Sequence, residues 1–187
     1  MSRRTIWFLC TVYFLSAHFL SALTVRMLTD EALVRTADVI LTGRVLSAYS
    51  DIDPEDGHIY THISVYVTEY LKGKNRLRTV ILKTPGGIVG NIGMSVEGAA
   101  DFYRNEEVML FLSHSSDNSL FPVGLFLGKL SIYRDADTGR TILIRSADGK
   151  GEFFFTPRSE VLEGLAPEQK VFFDSFRAKV QTVLQGR

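Results

Sequence analysis

Five glycines crowd the stretch from Lys83 to Phe102, KTPGGIVGNIGMSVEGAADF, at positions 86, 87, 90, 93 and 98. Glycine directly after a short apolar run is where many phosphate-binding loops begin, so nucleotide chemistry is the first to test. A Walker loop closes with Gly-Lys-Ser/Thr, so that lysine and hydroxyl meet phosphate and magnesium. Here Gly90 is followed by Asn91 and Gly93 by Met94. A dinucleotide loop spaces its glycines at i, i+2 and i+5 and opens a helix, whereas the residues beyond this stretch read as extended. Two readings stay open: a bent connection with positive φ angles, and a contact loop in which GGIVGNIGM sets apolar side chains beside bare backbone.

His58 and His62 form an H-x-x-x-H pair. On a helix that spacing brings both rings to one metal ion, but on a strand four residues span roughly 13 Å, too far for shared coordination. Asp51, Asp53, Glu55 and Asp56 resemble the start of a calcium loop, yet Asp56 stands where the loop needs glycine and His62 where it needs the closing glutamate. Asp135 and Asp137 before Gly139 read as turn residues. HSSDNS, from His114 to Ser119, holds the residue types of a hydrolytic triad, but neighbours on one loop cannot align as nucleophile, base and orienter. There is no G-x-S-x-G elbow. Tyr60, Tyr66 and Tyr70 lack the interleaved basic residues of a nucleic-acid stacking platform. These patterns lead to no expected catalytic residue, no metal site, no cofactor and no nucleic-acid partner.

The elements that would position these residues are mostly strands. LTDEALVRTA sets Leu28, Leu33 and Val34 at helical spacing, with Thr29 or Asp30 as N-cap. DVILTGRVLSAY alternates Val39, Leu41 and Val45 against Thr42 and Arg44, and HIYTHISVYVTEYL alternates Ile59, Ile63, Val65 and Val67 against His58, Tyr60, His62, Ser64 and Tyr66. The two predict an antiparallel pair. RTVILKT is a third strand ending at Pro85, and the unbroken VMLFL run predicts a strand buried on both faces. LFPVGLF, KLSIY and TILIR follow as further β segments, about seven strands in all. From Pro167, the spacing of Phe172, Phe176, Val180 and Val183 predicts a C-terminal helix over residues 167–184. The expected fold is mainly β: one small antiparallel OB-like barrel with a short helix before it and a longer helix after it.

At 187 residues, 45 % hydrophobic and 22 % charged, the chain has the profile of one packed domain. Its 21 basic and 21 acidic side chains give no global field toward nucleic acid or an anionic membrane. Arg3 and Arg4, the apolar run from Thr5 to Leu15 and the small residues near Ala22 follow the order of an export signal. The expectation is a signal over residues 1–24, cleaved near Ala22 to Thr24, and a single domain over residues 25–187. The alternative is an uncleaved anchor, since Thr5 to Leu23 is nearly long enough to span a bilayer. Cleavage removes Arg3, Arg4 and Cys10, leaving 19 basic against 21 acidic side chains and no thiol. Stability then rests on packing alone.

TADVILTGRVLSA, YTHISVYVTEYLKG, VILKTPGG and NEEVMLFLS, taken in order, resemble the core of the netrin-like modules of tissue inhibitors of metalloproteinases. The chain is also similar to a group of exported bacterial proteins of unassigned function that share the landmarks Ala37-Asp38, Leu71-Lys72-Gly73, Pro85-Gly86-Gly87 and Asn105-Glu106-Glu107-Val108. The likeness covers about residues 36–134 and implies a five-stranded OB-type barrel that binds a protein partner, with an exported protease as one candidate. The inhibitors place an N-terminal cysteine on the protease zinc. A start near Leu23, Thr24 or Val25 offers none, so inhibition here would have to use a loop. The expected function is therefore a non-enzymatic binding module of the cell envelope or extracellular space. Its candidate contact residues are Pro85, Gly86, Gly87, Ile88, Gly90, Asn91 and Gly93, with Tyr60, His62 and Tyr66 on the neighbouring strand.

Overall fold

The computed structural model describes residues 28–74, 77–136, 138–145, 153–154 and 171–186. The expected export signal and the expected helix start at Pro167 lie outside them.

Helix α1, Asp30–Thr36, begins at Thr29, whose hydroxyl accepts the Ala32 amide at 3.2 Å, and it carries Asp30 and Glu31 in its first turn. Its C-terminal carbonyls are gathered by a distant cation: the Lys72 ammonium donates to Val34 at 2.8 Å, to Arg35 at 3.2 Å and to Ala37. The long strands β1, Val39–Ile52, and β2, Ile59–Lys72, pair antiparallel from Ile52↔Ile59 inward, with register shifts that bend the ribbon. β3, Thr79–Pro85, pairs with β2. A small separate hairpin follows, β4, Gly87–Val89, and β5, Ile92–Met94. Next come β6, Phe102–Tyr103, β7, Glu107–His114, and β8, Leu120–Pro122. β9, Lys129–Arg134, β10, Thr141–Ile144, β11, Phe153–Phe154, β12, Val171–Phe172, and helix α2, Phe173–Gln185, complete the order.

Eight strands form one mixed sheet in the order β1-β2-β3-β8-β7-β9-β10-β12. β1 also pairs with β7, so the sheet curls back on itself as a partial ring. The step from β3 to β8 is parallel and rests on one registered pair, Leu82↔Leu120. The expected wholly antiparallel arrangement is thus corrected to a mixed one.

VMLFL explains how the layers stack. Val108, Leu110 and Leu112 point into one core with Leu41, Val65 and Leu82, while Met109 and Phe111 point into a second core with Leu33, Leu127, Phe176 and Val180. A strand buried on both faces needs no polar alternation. The first core fills the concave side of the curled sheet. The second lies between its other side and the two helices.

Two element boundaries differ from the sequence expectation. LFPVGLF is a strand only to Pro122; Gly124 and Leu125 take left-handed φ of 63° and 59°, and the chain continues as a 3-10 turn, Leu125–Gly128. Phe172 is strand, not helix, because Val171–Phe172 adds to the edge of β10 and the Arg140 guanidinium sits 3.5 Å above the Phe172 ring centroid. The helix starts one residue later.

Candidate functional site

The glycine-rich stretch turns inward from the end of β3. The Gly86 amide still donates to Ile59 at 2.8 Å, its carbonyl accepts the Thr61 hydroxyl at 2.7 Å, and Thr61 is 3.0 Å from the Ser50 hydroxyl. Gly87 lies directly on this polar pair. A Cβ there would stand 2.3 Å from Ser50 Oγ and 2.5 Å from Thr61 Oγ1, at a φ of 138°. The base of the hairpin therefore requires glycine for both space and backbone conformation.

The tip is different. Gly90 and Asn91 make a two-residue turn between Val89 and Ile92, with Gly90 at φ 59° and nothing within 4 Å of where its Cβ would be. Ile88 is 73 % exposed and Ile92 60 % exposed. Large aliphatic side chains this open, one on each face of a short hairpin, are the feature a partner can use.

Pro85, Tyr60, His62 and Tyr66 do not join that tip in one surface. Ser50 and Thr61 face the hairpin, so the alternating residues Tyr49, Tyr60, His62 and Tyr66 face the other side of the β1–β2 ribbon. On that outer face Tyr49 and His62 stack with centroids 4.7 Å apart and planes 6° from parallel. Lys83 lies beside them, 3.4 Å from Asp53 and 3.2 Å from Asp117. Partial desolvation works against the Lys83 charge, yet hydrogen bonds to Asp117 and Asp53 hold its ammonium above the usual lysine range. Tyr60 packs edge-on to Phe121 and donates to Asp56 at 2.9 Å, a bond that raises its hydroxyl above the usual tyrosine range. Tyr66, 44 % exposed, lies opposite Arg44 and Thr79, six strand residues or about 20 Å from Tyr60.

The other singled-out groups serve turns. His58 pairs with Asp56 at 3.3 Å while His62 stacks on Tyr49, so the two imidazoles have different partners. Asp53 accepts the Glu55 amide at 3.0 Å. Asp117 accepts from the Ser115 hydroxyl and from the Ser119 hydroxyl and amide, which holds its carboxyl far below the usual range. His114 meets the Asn118 carbonyl rather than a serine hydroxyl. HSSDNS is thus a hydrogen-bonded turn. Asp135 likewise accepts the Thr138 hydroxyl.

One polar group was not foreseen from the sequence. Lys129 and Glu106, only 5 % and 1 % exposed, form an ion pair at 2.8 Å beneath β6. Lys129 also donates to the Asp101 carbonyl at 2.7 Å and sits over the Phe102 and Tyr103 rings; the Ser131 hydroxyl donates to Glu106, and the Tyr103 amide donates to its second oxygen at 3.1 Å. Burial pulls Lys129 below the usual lysine range against the attraction of Glu106, and burial pushes the Tyr133 hydroxyl up to about 12. The available signal was the alternation of Lys129, Ser131 and Tyr133 against Leu130 and Ile132. It places three polar residues on one face of a strand otherwise committed to the core.

A cleft of about 280 Å³ opens between α1, β10, β12 and α2, where Asp30 is held by Arg145 at 3.3 Å and by Lys179 at 2.9 Å. The first pair ties α1 to the end of β10, and the second ties α1 to α2. Among the described residues, no helix is long and apolar enough to cross a membrane, and no group of three metal-ligating side chains comes together. No family model matches this sequence, and no curated protein matches it.

Proposed function

We propose that this chain is an exported, non-enzymatic binding module on an OB-like, netrin-like barrel, and that it meets a protein partner through the tip of the β4–β5 hairpin. The observation that carries this is the contrast inside the hairpin: a base packed on Ser50 and Thr61, and a tip presenting Ile88 and Ile92 at 73 % and 60 % exposure. A rigid mount with exposed aliphatic side chains loses little conformational entropy on binding. The sequence of charge, apolar run and small residues over the first 24 positions supports export, and the netrin-like order of landmarks supports the class.

The test is capture from an envelope fraction, with the wild-type chain and an Ile88→Ser/Ile92→Ser variant as baits. A stoichiometric protein retained by wild type and lost by the variant, at equal melting temperature, supports the reading. Equal capture by both removes the tip from the interface. Mass analysis of the bait's N-terminus should show a start near Leu23, Thr24 or Val25.

A further inference from the structure

The hairpin carries a glycine that its own fold does not explain. Gly87 is required by its neighbours and Gly90 by its φ, but Gly93 is not among the positive-φ residues, and among the described residues a Cβ there would meet only Ile88 Cγ1 at 3.8 Å and the Gly87 carbonyl oxygen at 4.0 Å. A side chain would fit. Glycine inside a strand without a local reason marks a place where another chain approaches closely.

The register says which chemical groups wait there. Val89 and Ile92 flank the two-residue turn and are therefore the hydrogen-bonded pair, so the next pair, Ile88 and Gly93, is the non-bonded one. The Gly93 N–H and C=O consequently point to the outer edge of β5. β4 packs against β1 and β2, whereas among the described residues β5 makes no comparable contact with either, and Ile92 and Gly93 on it are exposed. Native proteins usually blunt such an edge with lysine, proline or a covering loop. Here no charged residue occurs from Thr84 to Val96, and Ile88 and Ile92 flank the open position.

We infer that the β5 edge pairs with the same edge of a second copy of this chain, antiparallel about Gly93. Two-fold pairing on Gly93 lets each glycine give its N–H to the other's carbonyl, extending β4–β5 into a four-stranded sheet across the two copies. Ile92 of one copy then lies opposite Met94 of the other, and the missing Cβ atoms at the paired glycines let the two backbones close without a side-chain clash. The second copy fits this edge because the strand is uncharged and self-complementary: the two-fold axis brings no like charges together. This inference rests on the hairpin tip being the contact surface, and it names the partner of that surface. Two three-residue strands and their isoleucines bury less than the ~1,200 Å² of a stable complex, so the pairing is a concentration-dependent equilibrium.

Sedimentation equilibrium on the full-length gene product, purified as the expressing cell processes it, tests the inference between micromolar and several hundred micromolar. Wild type should shift from monomer to dimer across that range. Gly93→Pro, which removes the outward N–H and no bond of the β4–β5 ladder, and Ile92→Lys, which sets two like charges at the joint, should each remain monomeric at the top of the range, with unchanged circular dichroism. A wild type that stays monomeric throughout overturns the inference, as does a dimer that both variants retain. A monomeric wild type that still captures a different protein through Ile88 and Ile92 overturns it while leaving the contact-surface reading intact.

Discussion

Lys129 and Lys83 occupy similar chemistry in opposite environments. Each projects from a strand, each is ion-paired, Lys129 with one carboxylate and Lys83 with two, and each lies over an aromatic ring, Lys129 at 5.1 Å from Phe102 and Lys83 at 5.8 Å from Tyr60. Lys129 is 5 % exposed and its carboxylate 1 %; Lys83 is 18 % exposed and its Asp117 partner 41 %. In the interior the Lys129 ammonium and both Glu106 oxygens are held by groups from other parts of the chain. The cluster cannot change partners without unfolding, so it specifies structure. At the rim, water competes for each group, and the same pair becomes an exchangeable surface feature. Burial rather than residue type separates the two roles.

The sharpest way to break this comparison is to remove each lysine. Lys129→Met leaves the Glu106 carboxylate buried without its cation, which costs about 3–5 kcal/mol in urea denaturation. The Lys129→Met/Glu106→Gln double variant should recover part of that loss, because the uncompensated charge goes with it. If Lys129→Met unfolds at nearly the wild-type urea concentration, the interior cluster is solvated and the distinction fails.

The hairpin base belongs with the interior although it lies at the rim. Gly87→Val adds strain at a φ of 138° and a clash with two hydroxyl oxygens, together about 2–4 kcal/mol. Gly90→Ala, at φ 59° in open space, should cost about 1 kcal/mol, and Gly93→Ala almost nothing. A flat series across the three positions would mean that the base is no more fixed than the tip. Lys83→Met should cost under about 1 kcal/mol, since partly exposed pairs contribute little.

The same division governs what the sequence made legible. Alternation and unbroken apolar runs are local properties, so β1, β2 and β3 could be read from the first and the doubly buried β7 from the second, with Thr61 joining the apolar face of β2. The four landmarks were visible as patterns, but their work is done across long separations: Lys72 on the α1 carbonyls, Asp38 accepting the His114 amide at 2.9 Å, Gly86 accepting Thr61, Glu106 holding Lys129. A residue's type announces that it needs a partner, whereas only the fold brings the partner. For the same reason the sequence placed the hairpin beside the Tyr60–His62 face, when the inward turn at Gly86 and Gly87 puts it behind that face. The parallel step from β3 to β8 has one registered pair and left no periodic trace.

The smallest expected effect is also the one that separates rim from interior most specifically, because only an exposed group follows solution pH near neutrality. Partial desolvation, and then the charge of Lys83, hold the His62 imidazole below its ordinary value of 6.5, outweighing Asp51 and Asp53. The unfolded chain therefore takes up this proton at a higher pH than the folded one. The resulting stability is whole above about 6.5 and declines as the pH falls toward the folded value. His62→Phe keeps an aromatic ring against Tyr49 and removes the titration, while His58 and His114 remain in both proteins and cancel from the difference. Between pH 7 and pH 5 the melting temperature of the variant should fall less than that of wild type. Parallel decline of the two curves would mean that His62 is as solvated as a free histidine. Adding Lys83→Met to wild type should shrink the His62 contribution in the same window, since one of the two causes of the lowered value is then gone.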